Sequence, residues 1–105
     1  MSDECTVKVM AGACKMNTVV KAKMNDDMMS VTVTLESDCP MVMKSPVPVI
    51  MPWEEMGRPM NESAVYEWAS KNISHTACPV PMCVLKAVEA AGGMGIKRSP
   101  EIEII

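Results

Sequence analysis

Five cysteines and a single histidine are the side chains in this chain best suited to hold a soft metal or to carry sulfur: Cys5, Cys14, Cys39, Cys78, Cys83 and His75. The densest grouping is SHTACPVPMC, Ser74 to Cys83, which opens a helical pattern. A helix N-terminus presents unpaired N–H groups and the positive end of the helix dipole, and both stabilise a thiolate. Cys39 and Cys78 are each followed by proline, which fixes the chain direction in a first helical turn. Pro79 and Pro81 also reduce the entropy lost in ordering that approach. Three or four thiolate or imidazole ligands suit zinc or an iron–sulfur cluster. A single reactive thiolate at Cys78, with Cys83 or Cys39 to resolve it, suits persulfide carriage or thiol redox work instead.

Those residues lie far apart in the chain, so a joint site depends on the elements between them. Residues 5–10, CTVKVM, alternate and read as a strand; AGAC follows as a small-residue loop ending at Cys14. Residues 17–24 read as a second strand, NDD as a turn, and residues 28–36, MMSVTVTLE, as a third strand with Met29, Val31, Val33 and Leu35 on its buried face. SDCP then predicts a helix capped by Ser37 or Asp38, running through CPMVMK and stopping before Pro46. Residues 45–60, rich in proline, read as an irregular connection. Asn61 is the expected cap of a helix over ESAVYEWASKN, and a last helix is expected from about Pro79 to Ala91, closed by GGMG. EIEII alternates and predicts a final strand at a sheet edge.

The expected fold is α+β: an antiparallel three-stranded meander plus a C-terminal strand, with helices packed on one face, in a single domain spanning 1–105. In a meander, the loop after the first strand and the exit of the third share one end of the sheet. A helix packed over the sheet can bring its mouth to the same rim, which would bring Cys14, Cys39, Cys78 and His75 together. Cys83, about one turn further on, either joins that rim or faces the core, and His75 is either a ligand or a surface residue. Cys5, inside a strand, reads as a small buried hydrophobe.

The bulk numbers narrow the classes. With 105 residues the chain can bury a core without disulfide staples. Its net charge of −3 comes with no basic run, which argues against nucleic acid. No apolar run is long enough to span a membrane. The opening MSDECTVKVM has acids where a signal peptide needs bases, so a cytoplasmic location is expected. An odd number of cysteines in a reducing compartment points to metal or redox work rather than a disulfide framework. The thirteen methionines are not set in MxxM repeats and read as core filler, as at Met24, Met29 and Met43, rather than copper ligands. Asp26, Asp27, Glu54 and Glu55 read as solvated charges. AGGMG follows a helix rather than a strand, so it reads as a cap and not a phosphate loop; a conventional enzyme is not expected.

The order GAC (Gly12 to Cys14), SDC at a helix start, then SHTAC opening VLKAVEAA resembles the U-type iron–sulfur cluster assembly scaffold. That resemblance covers residues 5–92. It implies Cys14, Cys39 and Cys78 as ligands, His75 as a candidate fourth, and a protein partner in cluster transfer. Locally, CPVP at a helix start resembles the CPxP motif of the small sulfur-carrier family, which implies a persulfide on Cys78. The combination AGAC…SDCP…ACPVP…LKAVEAA with a terminal strand is also similar to a family of short proteins of unknown function from anaerobic archaea and bacteria. Three readings follow: a metal or iron–sulfur binding protein of scaffold or carrier type, with a homodimer sharing the site among its forms; a persulfide carrier or thiol-redox protein working through Cys78; and a small interaction domain with no chemistry.

Overall fold

A computed structural model describes residues 3–105. Three strands, β1 (Glu4–Met10), β2 (Asn17–Met24) and β3 (Val31–Ser37), form an antiparallel meander in the order β1-β2-β3. Helices α1 (Pro52–Glu55), α2 (Ala64–Asn72) and α3 (Val80–Ala91) follow, so the fold is α+β. Alternation sets the faces: Val20, Ala22, Val31 and Val33 are buried, while Lys21, Lys23, Thr32 and Thr34 between them are exposed. Helix α3 lies across β1 and β2 on the buried face, with α2 against α3. Val84, Ala87 and Val88 are fully buried, and removing such side chains from water stabilises the fold by about 1.5–3 kcal/mol per valine-sized group. The helix ends at Gly92, where a Cβ would lie 2.7 Å from Pro52 Cβ; only glycine leaves room for the Pro52 ring.

Several sequence expectations change. β3 begins at Val31, not Met28, because the Asp27 carboxylate accepts hydrogen bonds from Met29 N (2.9 Å) and Ser30 N (3.0 Å) and holds them in a turn. Met28 takes a positive φ of 59°, and Met28 and Met29 face solvent. Met43 is exposed as well, so of the three methionines expected in the core only Met24 is buried.

Residues 39–44 make no helix. A single turn forms, with Met43 N donating to Cys39 O at 3.3 Å, and the chain then runs on through Pro46 and Pro48. Six residues ahead of a proline cannot offset the cost of helix nucleation. Val42 is buried in the core, and Trp68 Nε1 donates to Ser45 O at 2.9 Å, so tertiary contacts fix the segment. Within the proline-rich connection, PWEE forms the short α1, and Ile50 exchanges two hydrogen bonds with Val31 on the outer edge of β3.

Ser63, not Asn61, caps α2: its Oγ accepts from Tyr66 N at 3.2 Å, and Met60–Glu62 ahead of it is a 3-10 turn. Glu55 is not a solvated charge. Its carboxylate is buried against the start of α2, accepting from the Ser63 hydroxyl, Ala64 N (3.1 Å) and Val65 N (3.2 Å). Finally, residues 101–105 form no strand; the alternating isoleucines lie beside β1 without pairing to it.

Candidate functional site

The cysteine-bearing loops gather at one end of the sheet, and the ladder shows why. β1 and β2 pair from Glu4↔Lys23 to Met10↔Asn17, and β2 and β3 from Met24↔Val31 to Thr18↔Ser37. The β1–β2 loop carrying Cys14 and the β3 exit carrying Cys39 therefore leave the sheet at the same rim. The loop is closed by Ala11 N donating to Met16 O (3.1 Å) and Lys15 N to Gly12 O (2.9 Å). Gly12 and Lys15 there take left-handed φ values of 100° and 57°. The β3 exit is tied to β2 by Asp38, whose N donates to Asn17 O at 3.0 Å and whose carboxylate accepts from Asn17 N at 3.1 Å. Cys39 N donates to Ser37 Oγ at 3.1 Å, which in turn bonds Thr18 Oγ1 at 2.7 Å.

The mouth of α3 reaches the same rim. Ala77 and Pro79 border one groove with Met10, Ala11 and Gly12. The loop before α3 leans on the Cys39 turn, with Ser74 Oγ donating to Met41 Sδ at 3.2 Å. Cys78 N donates to His75 O at 3.0 Å, which folds the His75–Cys78 segment into a turn.

All five cysteines are free thiols. Cys14 and His75 are exposed, Cys39 and Cys78 are half-buried against the core, and Cys5 and Cys83 are buried. Sharing a rim does not bring the side chains onto one point: among the described residues, no three His, Cys, Asp or Glu side chains stand as a metal ion would need. As placed, the donor set does not close around an ion.

Cys78 and Cys83 both stand at the start of α3. Pro79 is the N-cap of α3, so Cys78 immediately precedes the cap and Cys83 is the fourth helical residue, with Cys83 N donating to Pro79 O at 3.1 Å. Side chains at these two positions often meet across a helix start, an arrangement usually filled by two hydrophobes. Here both are thiols. Burial pushes the Cys83 thiol above its ordinary value, and charge on Cys78 pushes it the same way. Cys83 therefore keeps its proton to higher pH than an ordinary thiol.

The helix mouth is weaker as an anion site than its position suggests. Pro79 at the cap and Pro81 at the second helical position have no N–H, so only Val80 and Met82 retain free donors among the first four positions. Cys39 has no helix behind it and gains nothing from a dipole. The prolines set the direction of the chain and fix where Cys78 sits; they do not enrich the donors around it.

Of the two placements the sequence left open for Cys83, the structure takes the core. Sequence reasoning missed Glu55, which sits eight residues before the serine it bonds, across a loop with no local signature. No curated protein and no solved structure matches this chain. A family of unknown function, DUF6951, matches residues 5–104, and the chain belongs to that family.

Proposed function

We propose that this protein carries sulfur on Cys78, as a persulfide, and delivers it to the thiol of a protein partner. The observation behind this reading is the placement of a half-buried Cys78 just before the cap of α3, with a buried Cys83 as the fourth residue of the same helix. Loading is a thiol exchange at sulfur. The Cys78 thiolate attacks the outer sulfur of a donor persulfide, forms a new S–S bond and releases the donor thiolate. Delivery is the same step in reverse, with an acceptor thiolate taking the outer sulfur. Cys83, held protonated by burial and by charge on its neighbour, does not compete for the incoming sulfur.

A second reading rests on the shared rim. Cys14, Cys39 and Cys78, with His75 or Cys83 completing the set, would bind zinc or an iron–sulfur cluster if their loops closed further than they stand. One set of experiments separates the two. The protein is purified anaerobically, its iron, zinc and acid-labile sulfide are measured, and it is then exposed to a polysulfide donor and weighed intact. Persulfide carriage expects a gain of one sulfur atom, lost in Cys78→Ser and kept in Cys14→Ser, Cys39→Ser and Cys83→Ser. Loading that survives Cys78→Ser sinks that reading. Iron or zinc retained by the native chain and lost in each of Cys14→Ser, Cys39→Ser and Cys78→Ser establishes the second.

A further inference from the structure

β1 is an open edge. Among the described residues it pairs only with β2, whereas the other edge of the sheet is partly covered at Val31 by Ile50. Asp3 O accepts from Met24 N at 2.9 Å and Ala11 N donates to Met16 O at 3.1 Å. Because bonding alternates along an antiparallel pair, these two contacts assign the odd-numbered residues of β1 to β2. The N–H and C=O groups of Thr6, Lys8 and Met10 turn to the open side, where no main-chain partner meets them among the described residues.

A groove of about 720 Å³ runs along this edge, bordered by every residue from Cys5 to Gly12. Its floor is apolar, from Val7 and Val9 to Met82 and Ala90 of α3. Its charged residues are all cations: Lys8, Lys86, Lys97 and Arg98. This is unusual in a chain of net charge −3. Lys86 lies 3.8 Å from Glu89, but Lys8, Lys97 and Arg98 have no ion-pair partner among the described residues.

The same chain carries a segment with the complementary pattern. Glu101-Ile102-Glu103-Ile104-Ile105 alternates acid and isoleucine, and Ile102 and Ile104 already border the groove. Yet this segment makes no main-chain hydrogen bond to β1, and Ile102, Ile104 and Ile105 remain 73%, 95% and 110% exposed. An open edge and an unpaired strand-competent segment on one chain form a self-complementary pair of surfaces.

We propose that two copies exchange these segments: Glu101–Ile105 of each chain adds as a fourth strand to β1 of the other. Five residues of strand span about 17 Å, enough to cover the outward groups of Thr6, Lys8 and Met10. Seated there, Ile102 and Ile104 lie on the α3 side over Val7 and Val9. Glu101 and Glu103 fall on the opposite face, beside Lys8. The exchange is reciprocal, so the dimer is closed and twofold.

The test is light scattering with size-exclusion chromatography over a wide concentration range. The native chain is expected to be a dimer. Deleting residues 101–105, none of which is buried, should leave a folded monomer. Thr6→Pro removes an N–H that faces the open edge rather than β2, and should also give a monomer. Mixing the two variants restores one intact edge and one intact segment, and should restore association. A native chain that stays monomeric at every concentration, or a dimer that survives the deletion, overturns the proposal.

Discussion

Replacing Glu55 with alanine should cost about 3–5 kcal/mol, because the change leaves buried donors without a partner. The Glu55 side chain is 1% exposed and receives the Ser63 hydroxyl, Ala64 N and Val65 N at the first turn of α2. Val65 is 0% exposed, so its N–H cannot turn to water when the carboxylate is gone. The Ser63 hydroxyl is in the same position, while Ala64 is half-buried and recovers some hydration. Two fully stranded donors at about 1–3 kcal/mol each, plus a share for the third and for lost packing, give the stated range. At this chain length that corresponds to a melting temperature lower by about 20 °C. Urea unfolding followed by circular dichroism measures it, with the midpoint falling and the slope unchanged. Arg58 supplies the control. Its guanidinium lies 3.3 Å from Glu55 but its side chain is 39% exposed, so Arg58→Ala should cost under about 1 kcal/mol. A Glu55→Ala loss below about 1 kcal/mol, or an Arg58→Ala loss equal to it, would refute the assignment of Glu55 as the acceptor that holds the first turn of α2.

Other outcomes follow from the same structure. Cys83 has its folded-state value raised by burial first and by Cys78 second, so its contribution is fully present below the ordinary thiol range and is lost as pH rises through the raised value. Thermal melts should therefore show an alkaline loss of stability that is smaller in Cys83→Ala; an unchanged slope contradicts the burial. Asp27 has its value lowered by hydrogen bonds from Met29 and Ser30, so its contribution is present above the ordinary carboxylate range and is lost as pH falls through the lowered value. The gap in melting temperature between the native chain and Asp27→Asn should close on acidification, and a gap that widens argues against that turn. Gly92→Ala drives a methyl against Pro52 and should cost about 1–3 kcal/mol by urea unfolding; a neutral result would mean that α1 shifts freely.

Much of the fold was legible in the residues. The alternation in ECTVKVM, NTVVKAKM and VTVTLES, with short polar links between them, specifies a meander, because a strand can bury only every second side chain. VPMCVLKAVEAA announces its helix by its 3.6-residue pattern and by the glycines that follow. The short-range reading failed where local and tertiary preferences differ by little. CPMVMK has a helical pattern, but one turn is all that Pro46 allows, and Val42 and Trp68 hold the segment elsewhere. Met28 and Met29 extend the alternation of β3, but the Asp27 carboxylate takes the N–H groups of Met29 and Ser30.

By itself the sequence determined the chemistry on offer and the end of the sheet at which it would stand. The thiols of Cys14 and Cys39 lie in connections that a meander delivers to one rim through strand parity, while Cys78 reaches that rim only through the packing of α3. Only the tertiary structure decided which thiols are buried. Cys83 faces the core and Cys78 lies half-buried before Pro79, the cap of α3, a choice of helix boundary that propensity resolves poorly. Glu55 reaches Ser63 across a loop, and EIEII lies beside an open edge without joining it. Both depend on how whole elements pack, since the free energy of a long-range contact belongs to the assembled surfaces and not to the local pattern of either partner.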